Sequence, residues 1–280
     1  MSLIANNQNN LTIIEAHRKW FVLFDFKELT RFSELLYFLV LRDIKVRYKQ
    51  TVFGALWAIL QPFFTMVIFT IFFGKMANMP SDGIPYPIFS YSALLPWTYF
   101  ANSISQSGNS LINNANLITK IYFPRLYIPI SATLSGLVDF FIALMVLAGM
   151  MLFYKFIPGY YLILFPFLIF LTFLLATSVG LSLSALNVKY RDIRHVIPFM
   201  IQIWLFVTPV IYPTSIAKKY SWILYLNPMA GIIENFRASL LGHKAVQWIE
   251  LGFSAIIIIF LFIISVVYFN YMEREFADVI

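Results

Sequence analysis

Apolar positions in this chain are gathered into long blocks rather than alternating with polar ones. From Gln50 to Gly74 there are 25 residues without a charge. About 20 apolar residues, each rising 1.5 Å, carry a helix across a bilayer, so the block predicts a first span over about 52–74, with Pro62 as a kink. Gly83 to Thr119 is a second uncharged block of 37 residues, which places a second span in its first part, about 88–108. Later blocks predict spans at about 128–154, 160–186, 197–212 and 250–272.

The intervals carry the polar chemistry. Residues 31–50 read as an amphipathic interfacial helix: Leu36, Val40 and Ile44 recur at helical spacing, while Arg42, Lys45 and Lys49 share another face. It reads either as a stop-transfer charge cluster or as a helix lying on the membrane, gripped by a cytosolic partner. Asp43 and Arg47 form an i,i+4 pair. Asn109 to Pro129 returns to the first side with Lys120 and Arg125, and a short helix between two breaks there suits docking. Asn113, Asn114 and Asn116 read as loop or cap residues. Asn187 to His195 brings Lys189, Arg191 and Arg194 to the same side. Over 213–248 the pieces Trp222–Leu226 and Met229–Ile233 are too short to cross. Asn227-Pro228 breaks between them, and Glu234 and Arg237 interrupt the next stretch. A re-entrant or surface-lying hairpin fits.

Charge orients this pattern. Segments predicted on the first side hold 14 of the 20 Lys and Arg residues, and the opposite segments hold six. By the positive-inside rule the first side is the cytosol, with both termini there. The expected architecture is an all-α integral membrane protein. It has an N-terminal extension over 1–30, an interface helix over 31–50 and a six-span permease-like domain over 51–280, with the re-entrant external hairpin before the last span. No signal peptide is visible in residues 1–30, since no apolar core follows a basic start.

Composition supports this class. Sixty per cent of the 280 residues are hydrophobic, 12 per cent are charged, and mean hydropathy is +0.78, about half the charge of a soluble domain. The absence of cysteine excludes disulfides and thiolate metal sites. His17, His195 and His243 lack ligand spacing. The net charge of +7 lies beside membrane spans and is explained by orientation, not by nucleic acid.

Three features suggest chemistry. The second span is oddly polar, with Ser90, Ser92, Thr98, Asn102, Ser103, Ser105, Gln106 and Ser107. Such residues face protein or a water-filled path, although small polar residues also pack helices. The third span holds Asp139, an intramembrane carboxylate, read either as functional or as an interhelical hydrogen bond to Ser or Thr. With no second intramembrane charge in view, packing is favoured. No catalytic constellation, metal cluster or Walker A loop is present; Gly74-Lys75 is followed by Met76. ATP, if it powers transport, binds another chain. The 30 Phe, 16 Tyr and 6 Trp read as lipid-facing bulk and interfacial belts, or as stacking surfaces for sugar rings.

The stretches RDIKVRYKQTVFGALWAILQP, KIYFPRLYIPISATLSGLVDF, NVKYRDIRH, TPVIY and YLNPMAGIIENFRASLLG resemble the permease subunits of type-2 ABC exporters for polysaccharides. The resemblance runs from about residue 31 to 272. It implies a homodimer of six-span permeases joined to two ATPase subunits that hold ATP and Mg, with no cofactor on this chain. It also implies export of undecaprenyl-diphosphate-linked glycan, O-antigen first, across the bacterial inner membrane. By the same resemblance, Arg42, Lys45, Arg47, Asn114 and Lys120 are candidates for the ATPase interface, and Arg125 for the lipid diphosphate. Trp57, Trp97, Tyr99, Phe100, Trp204 and Tyr212 are candidates for a channel lining. The alternatives are a teichoic acid or capsule permease, a type-2 permease for drugs or ions, a proton-coupled carrier centred on Asp139, and a lipid-modifying enzyme.

Overall fold

The computed structural model describes residues 32–49, 54, 56–216, 221–242, 244–273 and 276. The predicted N-terminal extension, most of the stretch between interface helix and first span, and most of the C-terminal tail lie outside the described residues. Among the described residues there is no strand. The helices are α1 (Ser33–Lys49), α2 (Leu56–Phe69, continued by a π-helical turn Thr70–Met76), α3 (Tyr86–Asn113), α4 (Ala115–Ile118) and α5 (Tyr127–Phe153). They continue with α6 (Phe165–Lys189, entered through a 3₁₀ turn at Tyr160–Leu164), α7 (Ile193–Val207), α8 (Ser221–Leu226), α9 (Pro228–Leu241) and α10 (Trp248–Met272).

Four segments are long and apolar enough to cross a membrane: Leu56–Met76, Tyr127–Phe153, Tyr160–Lys189 and Trp248–Met272. Their exposed side chains, such as Ile256, Ile259, Phe260 and Ile263 on α10, are the apolar surface a bilayer solvates. The predicted second and fifth spans are also helices. With 28 residues, α3 is about 42 Å long but falls outside the apolar set. At 15 residues, α7 is about 22 Å long, short of the roughly 30 Å hydrocarbon core.

The central helix is α3. It packs most heavily on α6 and α5, then on α9, α2 and α7, and its burial explains its polarity. Ser90, Ser92, Ser103 and Ser107 are buried against neighbouring helices, and Ser92 returns its hydroxyl to the Phe89 carbonyl at 2.9 Å. A polar helix is therefore held inside a shell of apolar ones. A main core cluster spans α3, α5, α6 and α9, and a second lies at the basic end, where Leu111, Ile118, Leu126, Val188 and Phe269 meet.

The region 221–241 is more regular than the sequence suggests. Asn227 does not merely break the chain. Its side chain accepts from the Met229 N–H at 3.1 Å, capping α9 with Pro228 in the first turn, the favoured arrangement at a helix start. The helix then runs through Glu234 and Arg237 and ends at Gly242 in the left-handed region, φ +62°, as a C-terminal cap requires. All 14 residues of α9 are buried. The alternative of a hairpin lying on the surface is thus corrected for α9.

Candidate functional site

Midway between its basic end and the other end, the bundle holds a half-open cavity of about 300 Å³ with mixed polar and apolar lining between α1, α2, α3 and α5. Each wall follows from helical spacing. Thr98, Asn102 and Gln106 stand at i, i+4 and i+8 on α3, and Trp57 and Gln61 at i and i+4 on α2. Tyr99, Gly136 and Asp139 complete the lining with Arg47 and Tyr48. The polar residues of α3 thus divide by position, the serines packing helices and the Thr98–Asn102–Gln106 stripe facing the cavity.

The floor of the cavity changes the reading of Asp139. Its carboxylate is ion-paired with Arg47 and accepts a hydrogen bond from the Tyr48 hydroxyl. Arg47 also donates to Gln106 and to Ser135 Oγ, the latter at 3.1 Å. One helical turn earlier on both helices, Ser131 Oγ donates to Asp43 at 2.9 Å. This i+4 register on both partners sets α1 parallel to the first half of α5. It carries Arg47 to the level of Asp139, twelve residues or about 18 Å along α5. The expectation that no second charge accompanies Asp139 is therefore corrected, because the interface helix supplies it.

At the end opposite the basic one a second charge cluster closes the fold. Lys244 Nζ lies 2.5 Å from Asp82 and 3.4 Å from Glu234. Glu234 lies 3.5 Å from Arg237, and both are 5 % exposed. The Arg237 guanidinium donates to the Val210 carbonyl at 2.9 Å and lies 3.7 Å from the centre of the Phe89 ring. Burial works against the Asp82 carboxylate, but hydrogen bonds from Lys244 and Ser215 outweigh it and hold its pKa below the ordinary value. For Lys244, burial is likewise outweighed by Asp82 and Glu234, which raise its pKa.

The predicted site residues scatter. Trp57 and Tyr99 share the cavity, and Trp57 is 55 % exposed. Trp97 and Phe100 are buried in the main core. Phe100 meets Trp204 edge-on at 5.0 Å, and Trp204 Nε1 donates to Asn227 at 3.0 Å. Tyr212 donates to the carbonyls ending α7, each at 3.3 Å. The Arg125 guanidinium donates to the Glu273 carbonyl at 2.6 Å, tying the loop after α4 to the end of α10. Of the interface candidates, Lys45 and Lys120 are exposed. Arg42 is folded onto Asp43 at 2.8 Å, the Asn114 amide returns to the Ser110 carbonyl at 2.8 Å, and Arg47 points inward. Sequence reasoning overlooked Tyr48 and Gln61, although Gln61 four residues after Trp57 in an uncharged block was a usable signal. Among the described residues no group of acidic and histidine side chains is placed to hold a metal.

Comparison with known proteins gives this architecture a family. Over 258 residues the chain is 28 % identical to the O-antigen export system permease protein RfbA of Myxococcus xanthus, covering 90 % of this chain and 97 % of that one. Against the O-antigen export system permease protein RfbA of Klebsiella pneumoniae it is 30 % identical over 88 % of this chain and 95 % of the relative. The polysialic acid transport protein KpsM of Escherichia coli is 24 % identical over 78 % of this chain and 85 % of its own. The profile of the ABC-2 type transporter family matches residues 34–241, from the first turn of α1 to the last residue of α9. With that match laid over four apolar spans and a polar central helix, the chain belongs to the ABC-2 type transporter family.

Proposed function

We propose that this chain is the membrane subunit of an ATP-driven exporter of undecaprenyl-diphosphate-linked polysaccharide, with O-antigen as the cargo class. The observation that carries the reading is the similarity to O-antigen export permeases over about nine-tenths of the chain. In this reading α3 and α7 join the four apolar segments to make six spans in the bacterial inner membrane, α9 is re-entrant, and both termini are cytosolic, the side the excess of Lys and Arg favours. The division into an extension over 1–30, an interface helix over 31–50 and a permease domain over 51–280 goes with it. The chain itself performs no catalysis; two partner ATPase chains hydrolyse ATP with Mg.

Two exposed amides support pairing with a second copy. Gln61 on α2 and Gln202 on α7 are exposed on helices whose other exposed residues are largely apolar. An amide is poorly solvated by hydrocarbon, so these faces suit a partner chain or a watery path between copies. Trp57, Trp204 and Tyr212 keep surface for such a path, whereas Trp97 and Phe100 are enclosed. Lys45 and Lys120 are the exposed cations for the ATPase contact. Arg125 remains the candidate for the diphosphate, since a guanidinium offers paired charge-assisted donors. The test is purification of the detergent-solubilised chain from its native cells, with mass spectrometry of what accompanies it. Stoichiometric recovery of a chain bearing a Walker A sequence supports the reading; a chain that purifies alone and transports without ATP refutes it.

A further inference from the structure

The cavity between α1, α2, α3 and α5 has a charge balance that narrows what it can hold. We propose that it is a binding site for a single neutral sugar ring and that it discriminates against acidic sugars; the proposal rests on the glycan-export reading above. Its size comes first. A cavity of about 300 Å³ lies at the small end of ligand sites, suited to one ring and not to a stretch of polymer.

Its walls supply what a sugar ring requires. The Trp57 ring stands half exposed at one side, an apolar face for the C–H surface of a pyranose. The amides of Gln61, one turn along α2 from Trp57, and of Asn102 and Gln106 on α3 line the same space. An amide both donates and accepts, which matches hydroxyls that do the same. Gln106 already accepts from Arg47 through its oxygen, which leaves its amide nitrogen as a donor.

Charge then decides between cargo classes. Among the described residues the cavity is lined by one cation and one anion, and they are bound to each other. Tyr48 and Arg47 both donate to Asp139, so the guanidinium is already neutralised. A carboxylate on the ligand would meet no uncompensated cation beside this neutral pair and would give up its hydration without a charge partner. The same balance disfavours a phosphate.

The experiment uses the full chain with its co-purified ATPase in nanodiscs. Saturation-transfer NMR is recorded with methyl α-pyranosides of glucose, galactose and mannose, and with the matching methyl uronides, which differ only in carrying a carboxylate at C6. At least one neutral glycoside binds, at least fivefold more tightly than its uronide. Trp57→Ala weakens that binding by about twofold to tenfold, the range of an aromatic contact, while Trp57→Phe retains most of it. Asp139→Asn leaves Arg47 uncompensated and shifts the preference toward the uronide. Asn102→Leu, which leaves the ion pair intact, weakens neutral binding without that shift, and thus separates loss of the site from loss of fold. Equal binding of the uronide by the unaltered protein, or no effect of Trp57→Ala, overturns the proposal. If no glycoside binds while the ATPase still co-purifies and glycan still reaches the cell surface, the sugar site is wrong and the exporter reading stands.

Discussion

Replacing Arg237 by methionine removes the one guanidinium that joins α9 to both α3 and the end of α7. Arg237 is 5 % exposed and lies 3.5 Å from Glu234, itself 5 % exposed. It also donates to the Val210 carbonyl at 2.9 Å and covers the Phe89 ring at 3.7 Å. Methionine keeps most of the stem volume, so a cavity contributes little. The main loss is an uncompensated buried carboxylate, which destabilises by about 3–5 kcal/mol when one partner of a buried pair is deleted. Lys244, 3.4 Å from the same carboxylate, places the expectation near the lower end of that range. Against a total stability of about 5–15 kcal/mol, this is a large fraction. The assay is equilibrium unfolding in mixed micelles titrated with SDS, followed by tryptophan fluorescence, on Arg237→Met, Glu234→Gln and the double variant. The double variant should be less destabilised than the sum of the singles by about 1 kcal/mol or more, since the residues share one interaction. Arg237→Lys should not restore stability, because a point charge cannot reproduce the planar fork. An Arg237→Met protein within about 0.5 kcal/mol of the original, the range of an ordinary surface change, would refute the assignment.

Other outcomes rest on named contacts. Gly231→Ala drives a Cβ into Ser254 Oγ and places it 2.8 Å from the Glu250 carbonyl oxygen, so it should destabilise the packing of α9 on α10 by about 1–3 kcal/mol. Gly149→Ala meets nothing within 4 Å and should be neutral or slightly stabilising in the same unfolding titration. Arg47→Ala should lower the melting temperature measured by scanning fluorimetry, and Arg47→Ala with Asp139→Ala should recover part of it, since the stranded carboxylate is removed. The Asp82–Lys244 contact should respond to pH at both ends. Asp82 has a lowered pKa, so its stabilisation is full above the ordinary value of 3.8 and fades as pH falls through the lowered one. Lys244 has a raised pKa, so its share is full below 10.5 and fades as pH rises through the higher value. The melting-temperature gap between the unaltered protein and Asp82→Asn should therefore be flat through neutral pH and shrink in acid and in strong base. A gap that grows in acid would sink this assignment.

The sequence alone placed α1 and the six long apolar or uncharged segments, but not α9 as a continuous helix. Long uncharged blocks locate membrane segments because the bilayer tolerates few charges along some 20 residues, and the observed α2, α3, α5, α6, α7 and α10 fall where those blocks lie. It also expected a short helix between two breaks within 109–129, the stretch that holds α4. It could not say what faces what. The serines of α3 and its Thr98–Asn102–Gln106 stripe have the same polarity, and only the neighbours of that helix separate packing from cavity. Asp139 looked solitary because its partner Arg47 lies 92 positions earlier, in a helix whose composition suggested a cytosolic surface. Glu234 and Arg237 looked like interruptions for a similar reason: charges end a helix exposed to lipid, but not one that meets opposite charges and carbonyls inside protein. The periodicity of a chain determines which segments leave water; the pairing of side chains distant in sequence is decided only when the helices pack.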